Sequence, residues 1–132
     1  MDEQTLRQRL DAATLEGLFP PGRSDEFFEA LFGDPSEGAY DISLSFGRLD
    51  GTRLLLYLDL RQRPGHCLAC NLTYGLPQVF SRHPVIDIEG LVRELGRVLE
   101  GVARPGSWKL GSTVQESSEL HRIPLEIELE QA

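Results

Sequence analysis

The chain has 132 residues, 40% of them hydrophobic and 26% charged, the make-up of a single globular domain rather than a disordered or fibrous chain. Asp and Glu total 21 against 13 Lys and Arg, a formal net charge of -8, which favours solubility and opposes nonspecific binding to nucleic acid or anionic membrane. The N-terminus, MDEQTLRQRLDAATLEGLF, lacks the basic-then-apolar layout of a signal peptide, and the longest wholly apolar run, Leu54 to Leu58, falls far short of the about 20 residues that span a bilayer.

These features predict a cytoplasmic protein with reduced cysteines. Leu6, Leu10, Ala13 and Leu18 recur at helical spacing, so residues 4–18 read as one amphipathic helix, ended by Pro20-Pro21-Gly22. Ser24 then suits an N-cap, followed by Asp25 and Glu26, for a helix over 24–32 whose apolar face is Phe27, Phe28, Leu31 and Phe32. Gly33-Asp34-Pro35 stops it. Tyr40, Ile42, Leu44 and Phe46 alternate with Asp41, Ser43 and Ser45, the pattern of a half-buried strand. Asp50-Gly51 marks a hairpin turn, and residues 53–62 form the return strand with Leu54, Leu56, Leu58 and Leu60 on one face. Leu55 and Tyr57 make its second face partly apolar, so a covering element or partner is expected there.

After Pro64-Gly65, Leu68, Cys70, Leu72 and Tyr74 alternate as a third strand. Residues 75–86 read as an ordered loop. Asp87 caps a helix over 88–102, and Arg104-Pro105-Gly106 breaks the chain. Residues 108–114 make a weak fourth strand, with Trp108 in a core or an interface. Residues 122–130 make a clear fifth, with Ile123, Leu125, Ile127 and Leu129 inward and Glu126, Glu128 and Glu130 on a wet face; Pro124 argues for an edge position or for the strand's start. His121 reads as a solvated turn residue. The expected fold is a single α+β domain: an antiparallel sheet of about five strands, helices packed on one face, in the order α-α-β-β-β-α-β-β. Its core face is Ile42, Leu44, Leu56, Leu58, Leu68, Leu125 and Ile127. No G-x-G-x-x-G or P-loop is present.

The segment Arg61 to Ile86 stands apart. It contains no carboxylate side chain, yet holds both cysteines, two of the three histidines, three arginines and three prolines. Arg61, Arg63, His66, Arg82 and His83 make a cationic island suited to a carboxylate or phosphate, so a small anionic ligand or an acidic peptide is a candidate partner. Ion pairing with acids elsewhere in the chain is the plain alternative. Cys67 and Cys70, with His66, offer ligands to a metal, but one C-x-x-C supplies two of the four that a structural zinc needs. On a strand the two thiols point to opposite faces. A thiol redox site lacks the helix N-terminus that lowers such a pKa. Two small cysteines filling core space is the simplest account. Ser81, His83 and Asp87 have the residue types of a triad without a nucleophile elbow.

The runs EFFEALFGDPSEGAYDISLSF and QRPGHCLACNLTYGLPQVFSRHPVIDIEGLV resemble a small family of uncharacterised bacterial proteins, some of whose members carry a homeobox label by automatic naming. No basic recognition helix accompanies that label here, and the charge has the wrong sign for DNA. In element order the chain is also similar to the small acidic secretion chaperones, cytosolic homodimers that hold unfolded segments of exported partners. That resemblance implies a dimeric binding protein. The sequence therefore points to a non-catalytic protein-binding or adaptor domain, or a homodimer, with no cofactor. The alternative is a small metal- or thiol-dependent enzyme centred on Cys67 and Cys70.

Overall fold

The computed structural model describes residues 1–68 and 73–132. The expected first helix is two, α1 (Glu3–Arg9) and α2 (Ala12–Leu18). The break falls where Asp11 turns extended and its carboxylate accepts the Thr14 N–H at 2.9 Å, capping α2. Asp2 caps α1 in the same way through the Thr5 N–H. These hydrogen bonds hold both carboxyls below their ordinary pKa. Breaking the helix lets Leu6, Leu10, Leu15 and Leu18 all reach the core, which one straight helix does not achieve with this spacing. Helix α3 (Gly22–Phe32) starts before Ser24, so Ser24 is not its N-cap. Its hydroxyl is buried and accepts the Ile42 N–H at 2.8 Å, pinning the helix to a strand edge. Gly33, at φ +76°, ends α3 in a left-handed conformation that glycine adopts without a Cβ clash.

Strands β1 (Tyr40–Asp50) and β2 (Arg53–Gln62) form the expected hairpin, closed at Gly51. The register shifts between Phe46 and Arg48. Gly47 makes this bulge possible, since a Cβ there would lie 2.7 Å from the Leu55 carbonyl oxygen. The expected third strand does not form in the described part of its span. Residues 69–72 lie outside the described residues, and Leu68, Thr73 and Tyr74 are in bends, turns or irregular chain. The expected loop contains a helix, α4 (Leu76–Arg82), with proline in its first turn. Among its residues only Phe80 is fully buried, so it carries no apolar stripe to read. Helix α5 (Ile88–Val98) buries Ile88, Leu91, Val92 and Leu95, with Asp87 as its N-cap.

Strands β3 (Ala103–Leu110), β4 (Val114–Gln115) and β5 (Leu120–Gln131) complete a five-stranded antiparallel sheet of order β1-β2-β5-β3, with β4 also on β5. Arg104-Pro105-Gly106 thus lies inside a strand, at a register shift, rather than breaking the chain. Pro124 occupies an interior strand, not an edge. Its carbonyl accepts the Gly111 N–H at 2.8 Å, so its nitrogen faces the gap between β3 and β4, where no ladder bond is missing.

The molecule is α+β, with its core between the helices and one sheet face. Every expected core-face residue is buried, Leu68 included although it lies outside a strand. The second sheet face is covered by its own side chains. Leu55 is buried, and the Arg122 guanidinium lies 4.9 Å from the Tyr57 ring centre and 2.9 Å from Asp59. Arg53–Glu128 and Lys109–Glu126 pairs continue that face. No helix among the described residues is long and apolar enough to cross a membrane.

Candidate functional site

The cationic island is divided by the fold. Arg63 is built into it: Nη2 lies 2.8 Å from Asp25, Nε donates to Asp41 at 2.9 Å, and Nη1 donates to the Pro35 carbonyl at 2.8 Å. The guanidinium also sits 5.1 Å from the Phe28 ring centre, and the side chain is only 13% exposed. Charge-assisted bonds of this kind tie α3, the turn after it and β1 into one corner. Arg61 stays exposed and lines a groove described below. Arg82 and His83 line a different concavity at the end of α4. His66 is half-buried in the turn after β2. The five residues therefore do not share one cavity.

The chemistry proposed for serine, histidine and acid is also dispersed. Ser81 donates to the Gln78 carbonyl, His83 Nδ1 accepts the Val85 N–H at 3.2 Å, and Asp87 caps α5. Cys67 is exposed and disulfide-bonded, which corrects the expectation of reduced cysteines, while Cys70 lies outside the described residues. Among the described residues no three His, Cys, Asp or Glu side chains are gathered to hold a metal.

His121, expected in solvent, is buried on the core face of β5 with Nδ1 2.9 Å from the Thr73 hydroxyl. Thr113 donates in turn to the Thr73 carbonyl at 2.7 Å. Burial holds the imidazole below its ordinary pKa of about 6.5. The unfolded chain therefore takes up a proton on acidification that the folded chain resists. Stability due to His121 is complete above about pH 6.5 and declines below it, by at most about 1.4 kcal/mol per pH unit. Chemical denaturation of wild type and His121→Gln between pH 7.5 and 5.5 should show a shallower loss in the variant. Parallel profiles would refute this assignment.

One further concavity is not legible in the sequence. A groove of about 770 Å³ lies between β1, α2 and the start of α3. Leu15 of α2, Phe19 at its C-terminal cap, and Ile42, Leu44 and Phe46 of β1 supply its apolar wall. Asp41, Ser43 and Ser45, from the opposite face of β1, also line it. Residues from both faces of one strand can meet a single groove only at that strand's edge, and β1 is an edge strand. Glu16, Asp25, Asp41 and Arg61 give the lining three carboxylates and one guanidinium. Ser45 Oγ is buried on this wall with no hydrogen-bond partner among the described residues. The sequence signal was present in the paired small residues Ser43 and Ser45, but their place at an open edge is set by strand order. A scan of family models finds no match to the chain, and searches of curated proteins and of solved structures find none either.

Proposed function

We propose that this chain is a non-catalytic protein-binding module, and that its partner engages the groove between β1, α2 and α3. The observation that carries this reading is the groove's construction: an apolar wall with a polar rim, along the edge strand of the sheet. Clefts of this size and lining are where proteins take up ligands. The excess of carboxylates on the rim disfavours an anionic ligand here and favours a neutral or basic one. A homodimer formed through this edge is the competing occupant.

The test is selection of a random peptide library on the intact protein, with Ala12→Trp as the counter-screen. Ala12 is exposed on the groove wall, so a tryptophan there fills the groove without entering the core. Wild type should enrich peptides that Ala12→Trp binds at least tenfold more weakly. Cys67→Ser combined with Cys70→Ser should leave their binding intact. Enrichment of nothing, or of peptides indifferent to Ala12→Trp, would sink the proposal. Loss of binding in the double cysteine variant would favour the thiol- or metal-dependent alternative.

A further inference from the structure

We infer that the groove's occupant is a short extended segment of a partner protein, alternating apolar and basic residues, which joins the sheet along β1 by main-chain hydrogen bonds. This rests on the groove being the binding site. Strand parity fixes which backbone groups of β1 face outward. Ala39 and Arg63 face each other in a hydrogen-bonded pair, the Arg63 N–H donating to the Ala39 carbonyl at 3.0 Å. Alternation along an antiparallel pair then turns the N–H and C=O of Ile42 and Leu44 away from β2, toward the open edge. Ile42 confirms this direction, because its outward N–H is met by Ser24 Oγ.

The fold plugs that edge at both ends and leaves the middle. Ser24 meets Ile42 at one end. At the other, Arg7 donates to the Gly47 carbonyl at 3.1 Å and Glu3 accepts the Leu49 N–H at 3.0 Å. Between these plugs, no described residue hydrogen-bonds the outward N–H or C=O of Leu44. Edges left unpaired are templates for another strand. From Ile42 to Gly47 the edge runs roughly 17 Å at about 3.3 Å per residue, room for a peptide of about five residues. The whole 11-residue β1 of a second copy cannot lie flat along it, since α1 and α3 hold the two ends.

The walls specify the side chains. A strand laid in the groove would send alternate residues toward Leu15, Phe19 and Leu44 and the others toward Asp41 and Ser43. With Arg63 counted beside Asp25 and Asp41, the carboxylates still outnumber the guanidiniums, on a chain whose net charge is -8. Basic residues therefore suit the polar side.

The probe is a fluorescein-labelled hexapeptide of alternating lysine and valine, acetylated and amidated, added to the full-length protein. In a strand, alternate amides point to opposite edges. N-methylation of one alternate set of amides should weaken binding at least tenfold, while methylation of the other set should change it less than threefold. Hydrogen exchange at the Leu44 amide should slow on binding. Replacing every lysine of the probe by glutamate should abolish binding, and Glu16→Lys should weaken the lysine probe severalfold. Equal effects of both methylated sets, with binding still lost in Ala12→Trp, would overturn strand addition while leaving the groove as the site. A lysine–valine probe that fails to bind, or a dimer that the probe does not dissociate, would overturn the inference outright. The library selection then tells separately whether the groove binds peptides at all.

Discussion

Phe27→Ala should destabilise the protein by about 3–5 kcal/mol, the range for deleting a fully buried phenylalanine. Phe27 has no exposed surface, and its ring meets Phe28 and Phe80 at 5.3 Å and His83 at 4.9 Å between centres. It is thus the wedge that locks α3 against α4, and its loss opens a cavity bounded by three rings that small shifts cannot refill. Against a total stability of about 5–15 kcal/mol, the loss amounts to a large share of what holds the fold. Phe32 offers the internal control. It stacks on Phe28 at 6.0 Å but is 58% exposed, so Phe32→Ala should cost under about 1 kcal/mol. Urea titrations of the two variants check both numbers. Similar costs for the two substitutions would refute the packing argument.

Arg63→Ala should cost about 2–3 kcal/mol, as expected for losing charged hydrogen bonds from a mostly buried guanidinium. The substitution leaves the carboxylates of Asp25 and Asp41 without their shared guanidinium and removes one of the two donors to the Pro35 carbonyl, the Gly38 N–H remaining. The two carboxylates are themselves more than half exposed, which keeps the penalty below that of a fully buried pair. Arg63→Lys should recover less than half of the loss, since one ammonium cannot serve three acceptors in a planar fork. Arg61→Ala, on an exposed side chain, should change stability by no more than about 0.5 kcal/mol. The comparison is made by thermal unfolding at neutral pH. An Arg63→Ala variant as stable as Arg61→Ala would mean that the clamp contributes nothing.

The clamp also bears on the groove. Asp25 and Asp41 line it, and Arg63 holds both from behind. The residue that looked most like a ligand-binding arginine in the sequence thus sets the position and charge of the groove's rim. An arginine in an acid-free segment is visible in one dimension, whereas its two acidic partners lie 38 and 22 positions away in the chain.

What the sequence by itself determined was what depends on local periodicity. Alternation placed β1, β2 and β5 and chose their buried faces correctly, because a one-residue error in a strand would expose its whole apolar set. The 3.6-residue stripe and Asp87 placed the start and buried face of α5, although the helix ends at Val98 rather than at 102. The antiparallel α+β class followed from the Asp50-Gly51 hairpin and the separation of helices from strands. Where local signals conflicted or were weak, the tertiary structure decided. Asp11 outweighed helical continuity because capping a second helix let four leucines reach one core. Pro124 entered an interior strand because the β3–β4 gap asks nothing of its nitrogen. Ser24 left its expected cap to close the edge at Ile42. The groove itself belongs wholly to this second class. It exists because β1 ends the sheet and because side chains from α1 and α3 close that edge on either side of Leu44 but not at it, and both are consequences of strand order and helix placement that no spacing along the chain encodes.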